Sequence, residues 1–123
     1  MTLTPLHRLT IGEASGLIKC GELSPLELTE SFLKRIEEFD PQLKAYLTVT
    51  ADLAICQAKL AEAEIASGKY RGPLHGIPIA LIDLFDTAEI TTTSGSRLFA
   101  GRIPKSDSTV TTRLRDAGAV MLG

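Results

Sequence analysis

Apolar residues recur every three to four positions along most of the first 67 residues and then give way to an unbroken run from Ile77 to Ile82. Thr10 followed by Glu13 has the form of a capping box, in which each side chain satisfies a free backbone N–H of the other residue. Ile11, Ala14, Leu17 and Ile18 then share one face of a first helix that Gly21 ends. Ser24, Pro25 and Glu27 repeat the start signal, with proline at the first helical position, where its missing N–H costs nothing. Leu28, Phe32, Ile36 and Phe39 form the apolar stripe of this second helix. Asp40-Pro41 is expected to end it, because a residue before proline is pushed out of helical geometry. Ala45, Leu47 and Val49 alternate with Tyr46 and Thr48, the period of a short half-buried strand. A third, alanine-rich helix is predicted over about 51–67, with Leu53, Cys56, Leu60 and Ala63 on its apolar face and Gly68 as its cap.

After the loop punctuated by Gly72-Pro73 and Gly76, the run Ile77–Ile82 lacks alternation and predicts a central strand covered on both faces. Asp107 is placed to cap a fourth helix carrying Val110, Leu114 and Ala117; Gly118 closes it, and Ala119–Leu122 enters a last apolar strand. This order predicts an α/β fold, with N-terminal helices followed by mixed sheet strands and their covering helices. A helical layer would occupy about 1–70 and strand and helix units about 71–123, in a single domain over 1–123. Nothing follows the last strand in the sequence, so its edge is expected to be exposed. An exposed apolar edge invites self-association or docking.

Composition narrows the function classes. A content of 44% hydrophobic and 23% charged residues is that of a folded globular chain, which sets disorder aside. Thirteen Lys and Arg against fifteen Asp and Glu leave a net charge of −2 without any block of one sign, so no footprint for nucleic acid or an anionic membrane is present. No basic segment leads into an apolar run at the N-terminus, and no stretch approaches the roughly 20 apolar residues of a membrane span. A cytoplasmic location is the default expectation. Cys20 and Cys56 sit in separate predicted helices without CxxC pairing and are expected to be small buried hydrophobes; His7 and His75 are too far apart to suggest a metal motif. Each histidine is expected to be a satisfied polar group, and no cofactor is implied.

Thr93-Ser94-Gly95-Ser96 is a small-residue loop that reads either as a simple turn or as a nest of backbone amides able to hold an anion. Ser96, His75 and an aspartate supply the residue types of a hydrolase triad, but no Gly-x-Ser-x-Gly elbow accompanies them. Phosphate-cradling glycine motifs are absent as well.

The stretch Arg71-Gly72-Pro73-Leu74-His75-Gly76-Ile77-Pro78-Ile79-Ala80-Leu81-Ile82-Asp83-Leu84-Phe85-Asp86-Thr87 resembles the strand that carries the catalytic lysine in the amidase signature family. Ser24-Pro-Leu-Glu-Leu, Thr93-Ser-Gly-Ser96 and Arg115-Asp-Ala-Gly-Ala-Val-Met-Leu-Gly123 extend the resemblance in register from about Thr10 to Gly123. The family hydrolyses or transfers amides with a Ser-(cis)Ser-Lys triad, and the resemblance places the lysine at position 82, where this sequence has isoleucine. A lysine among Ile, Ala and Leu would be desolvated and its pKa lowered, so that a neutral amine accepts a proton near neutral pH. Isoleucine has no lone pair to do so.

The family's two serines lie in a Gly/Ser-rich segment downstream of the part matched here, so Ser94 and Ser96 are not the triad serines. The resemblance therefore implies an incomplete, N-terminal portion of an amidase domain with no catalytic residue of its own. Asp83 is expected to have a supporting role, hydrogen-bonding nearby backbone, and Thr93, Ser94, Gly95 and Ser96 to be substrate-side or supporting contacts. Asp83-Leu-Phe-Asp-Thr with Thr93-Ser-Gly-Ser looks closer to general amidases than to the glutamyl-tRNA amidotransferase subunit. The alternative, from another class, is a non-catalytic module that docks onto a full-length amidase or amidotransferase subunit through the helical layer and the last strand.

Overall fold

The structure is a computed structural model that describes residues 4–123; residues 1–3, the start of the expected helical layer, lie outside the described residues. A short 3₁₀ turn at Leu6–Arg8, which the pattern did not predict, leads into α1, Ile11–Lys19. The capping box forms: Thr10 Oγ1 accepts from Glu13 N at 3.2 Å while Thr10 N donates to Glu13 Oε2 at 2.8 Å. Gly21, at φ 77°, ends the helix as expected, in the left-handed conformation open to glycine.

Helix α2 spans Pro25–Leu43 and overruns the predicted stop at Asp40-Pro41. Pro41 sits in the last turn, where its missing N–H removes a single helical bond. Its neighbour replaces the usual ending: Lys44, left-handed at φ 50°, donates to Asp40 O at 2.7 Å, and Asp40 Oδ1 accepts from Ala45 N at 2.7 Å and Tyr46 N at 3.2 Å. Those two amides are held by a carboxylate instead of a neighbouring strand, and the predicted strand over Ala45–Val49 does not form. Leu47 points out at 77% exposure, and Tyr46 turns inward.

Helix α3, Ala51–Ala66, is where the sequence predicts it, but its buried face is rotated. Ala54, Ala58 and Ala61 are buried, whereas Leu60 and Cys56 are exposed; Cys20 is exposed too, so neither cysteine is the buried hydrophobe expected. The alanines let α3 approach both α2 and β2 closely, a gain that outweighs burying one leucine. Two apolar clusters result. Ala14, Ile18, Leu23, Leu28 and Ile77 join α1, α2 and the start of β1, while Ala54, Ala58, Val120 and Leu122 join α3 to β2 beneath Phe32, Leu33 and Ile36.

Strands β1, Pro78–Ile79, and β2, Val120–Met121, pair in parallel with Pro78 opposite Val120 and Ile79 opposite Met121. Flanking bonds extend the ladder: Gly76 N to Gly118 O at 2.8 Å, Val120 N to Ile77 O at 2.9 Å, Leu122 N to Ile79 O at 2.8 Å, and Leu81 N to Gly123 O at 2.9 Å. Helix α4, Thr109–Asp116, runs between them and is capped by Ser108, whose Oγ accepts from Thr111 N; Asp107 is not the cap. Asp107 instead receives Ala88 N at 2.8 Å and pairs with Arg115 at 2.7 Å. The fold is α/β, a helical layer against a small parallel sheet.

The outer edge of β2 is not open as the sequence suggested. Thr50 N donates to Leu122 O at 2.8 Å, Thr50 Oγ1 to Met121 O at 2.9 Å, and Met121 N to Gln57 Oε1 at 2.8 Å. The N-terminal end of α3 therefore covers that edge. Among the described residues the free backbone groups belong to the other side of β1, where Ala80 N and O have no hydrogen-bond partner. No helix among the described residues is long and apolar enough to cross a membrane.

Candidate functional site

Directly after β1 the chain turns: Ile82 O accepts from Leu84 N at 2.7 Å and from Phe85 N at 3.2 Å. The turn stops Ile82 from being the buried end of a long central strand. The residue is 62% exposed, at a cleft of about 410 Å³ that is also lined by Tyr46, Leu47, Leu81, Phe85 and Met121. None of the described residues lining this cleft carries a basic nitrogen. Asp83 is its single ionisable carboxylate side chain.

Asp83 is fully engaged. Its Oδ1 accepts from Thr93 N at 2.7 Å, its Oδ2 takes a short hydrogen bond from Thr93 Oγ1, and its backbone carbonyl accepts from Ser94 N at 2.9 Å. The Thr93 hydroxyl, and after it the Thr93 amide, holds the Asp83 carboxyl below the usual carboxylate range by stabilising its charged form. Thr93 Oγ1 accepts in turn from Gly95 N at 3.2 Å. Ser94 and Gly95 both take positive φ, 53° and 68°, which folds the loop back over the carboxylate.

The amide nest expected in the 93–96 loop is thus occupied by the chain itself. Asp83 holds two of its N–H groups, the Thr93 hydroxyl a third, and Ser96 N donates to Thr93 O at 3.0 Å. No amide of the loop is left for an outside anion. Ser96 does not face the carboxylate: its Oγ accepts from Leu98 N at 3.2 Å and caps the 3₁₀ turn Arg97–Phe99. Ser94 is exposed at the loop tip. Position 82, Asp83 and Thr93 therefore come together, while Ser94 and Ser96 stand apart. A bidentate pair beyond them, Arg102 to Asp86 at 2.6 Å for each oxygen, anchors the return of this loop.

His75 lies elsewhere and makes no triad with Ser96. Its ring is 1% exposed; Nδ1 accepts from Arg71 N at 3.0 Å and Nε2 lies 2.9 Å from Glu64 Oε2. Nδ1 is satisfied, as expected of a polar group, whereas Nε2 meets Glu64 as a close charge contact without a well-aligned hydrogen bond. The sequence reading missed its partners Glu64 and Arg71, because one is a helix-surface glutamate and the other an ordinary loop arginine. The one available signal was Arg71 standing four residues before a histidine in a glycine-punctuated loop. Among the described residues no group of three or more His, Cys, Asp or Glu is placed to hold a metal ion.

Comparison with known proteins places the chain in a family. The profile of the family described as Amidase matches residues 27–123. The chain is 44% identical over 118 residues to the "Putative amidase AmiD" of Mycobacterium tuberculosis, covering 96% of this chain and 25% of that protein. It is 46% identical over 118 residues to a glutamyl-tRNA(Gln) amidotransferase subunit of Halorhodospira halophila, covering 96% and 24%. Relatives of both kinds match to nearly equal degree, so the expected leaning toward general amidases finds no support in identity. The crystal structure of native peptide amidase from Stenotrophomonas maltophilia superposes with a TM-score of 0.89 at 37% identity, over 97% of this chain and 25% of that one. The chain spans about a quarter of the length of the relatives it matches. With the motif around position 82, the fold and the family profile in agreement, the chain belongs to the amidase family.

Proposed function

We propose that this chain is the part of an amidase-type fold that presents the position of the family's catalytic amine, and that with isoleucine there it does not itself initiate amide hydrolysis. The observation that carries the reading is Ile82 itself. It opens into the cleft directly before the Asp83–Thr93 clamp, and among the described residues no basic nitrogen lines that cleft to take its place. By the family resemblance the amine would draw a proton, through a bridging serine, from the serine nucleophile. A hydrocarbon cannot accept that proton, and loss of the base from a cooperating set costs several powers of ten in rate.

The test is ammonia release from simple carboxamides by the purified chain, alone and mixed with a downstream half that bears the family's two serines. Ile82→Lys in the mixture is the positive arm. No release by the unmodified chain and release by the restored mixture are expected; turnover by the unmodified chain alone at enzymatic speed overturns the reading.

A second reading is supported by one specific observation, the unpaired N–H and C=O of Ala80 beside exposed Leu47 and Ile82. On it the chain docks onto an amidase or an amidotransferase subunit by strand addition. Its edge would be that of β1 and not the last strand. A stoichiometric amidase-type partner in co-purification supports docking, and purification without one counts against it.

A further inference from the structure

Three segments that fix where β1 begins meet on one buried imidazole. Glu64 comes from the end of α3, Arg71 from the loop before β1, and the backbone of Gly118 from the turn between α4 and β2. His75 is wholly buried among them. Because Arg71 N–H donates to Nδ1, that nitrogen carries no proton, and the neutral ring holds its hydrogen on Nε2. Nε2 is 2.9 Å from Glu64 Oε2, but the oxygen lies off the N–H axis, so the contact is electrostatic and poorly aligned as a hydrogen bond. Glu64 is shared: Arg71 Nη2 reaches its other oxygen at 2.6 Å. Arg71 Nη1 in turn donates to the end of α4, to Asp116 O at 3.2 Å and Arg115 O at 3.5 Å.

We propose that His75 is a proton-sensitive latch: the neutral ring closes the junction of α3, α4 and β1, and a proton on Nδ1 opens it. Protonation puts an N–H where the Arg71 amide already points its own hydrogen, so one buried hydrogen bond becomes a donor facing a donor. The Gly118 backbone packs closely on one side of the ring. A Cβ built on Gly118 would stand 2.3 Å from His75 Cδ2, which shows how closely that backbone lies against the ring.

The charged groups around the ring do not rescue the cation. Glu64 favours it, but its carboxylate is already neutralised by Arg71, whose own charge opposes a second cation. Asp116 acts on Arg71, and Lys19 lies 5.6 Å over the ring of Tyr70, which flanks His75 at 6.1 Å between centroids. Burial is the largest influence and pushes the imidazole below its usual range. The consequence reaches β1, since Gly76 N, the first amide of the ladder, follows directly. Breaking the Arg71 bond releases the loop that leads into β1.

The test uses NMR of the chain between pH 8 and 4.5. The His75 ring nitrogens are expected to report hydrogen on Nε2 at pH 7. Protection factors of the Arg71 and Gly76 amides, each rate taken against the intrinsic rate at the same pH, are expected to fall at least tenfold below the histidine titration, while amides of α1 keep theirs. His75→Asn, which keeps an acceptor near the Nδ1 position but cannot take a proton there, is expected to abolish the fall. Hydrogen on Nδ1 at pH 7, or unchanged protection factors through the titration in the unmodified chain, overturns the latch whether or not the variant folds.

Discussion

Position 82 shows how far one residue's surroundings decide its chemistry. The apolar run around it suggests a dry site in which a lysine would lose its proton, yet the turn at Leu84–Phe85 leaves this position largely in water. An amine placed there has no desolvation to depress its pKa, and the neighbouring Asp83 carboxylate favours the cation. In this chain Ile82→Lys is therefore expected to titrate near the ordinary lysine value of about 10.4, measured from the side-chain carbon and nitrogen shifts. A value several units lower would mean that this segment alone dries the site. At the latch, Gly118→Ala adds a Cβ 2.3 Å from His75 Cδ2 at a backbone φ of +81°. Overpacking and left-handed strain together are expected to cost about 2–4 kcal/mol in urea unfolding. Asp83 has its carboxyl held low by Thr93, so its share of stability is present above the ordinary carboxylate pKa and is lost as pH falls through the lower folded value. Asp83→Asn is expected to remove that acid-side loss, read from melting temperatures between pH 5 and 2.

At the scale of elements, helices were legible where their start signals are local. The Thr10–Glu13 box and the Ser24-Pro25 start are present in the structure as the sequence predicts. The failures come from side chains that chose distant partners. Asp107 reads as a cap, but it is taken by Ala88 and Arg115, and Ser108 beside it caps α4. Ser108→Ala is accordingly expected to cost about 1 kcal/mol through the lost cap, with the loss confined to α4 amides in hydrogen exchange. Asp107→Ala is expected to loosen Ala88 as well. The buried face of α3 was misread for another reason: periodicity weights leucine over alanine, whereas close approach of two helices and a strand selects the small residue. Tertiary contact, invisible to a one-helix pattern, made that choice. At the candidate site the family resemblance pointed to position 82, Asp83 and the 93–96 loop, of which the structure brings together position 82, Asp83 and Thr93 and leaves Ser94 and Ser96 apart. The sequence did not foresee that Asp83 fills the loop's own amide nest, because residue types give no account of which donors a carboxylate reaches.

For the molecule as a whole, the two-stranded sheet raises the question of which edge is open. A pair of strands is marginal by itself, and stability here comes from α2 and α3 packed on its inner residues. β2 is closed off by Thr50 and Gln57, so an incoming strand finds no free groups there. β1 is different, because Ala80 keeps both backbone groups unpaired and is exposed, next to Leu47 and Ile82 in the same cleft. A strand that added here would gain two backbone hydrogen bonds and cover apolar surface. The weight-average mass of the chain in sedimentation is therefore expected to rise with concentration. Ala80→Lys, which places a solvated charge on that edge, is expected to hold it at the monomer value, while Thr50→Ala, on the opposite edge, leaves the association in place. A chain that stays monomeric at every concentration would leave the β1 edge without a role in association, and association unaffected by Ala80→Lys would move the contact to another face.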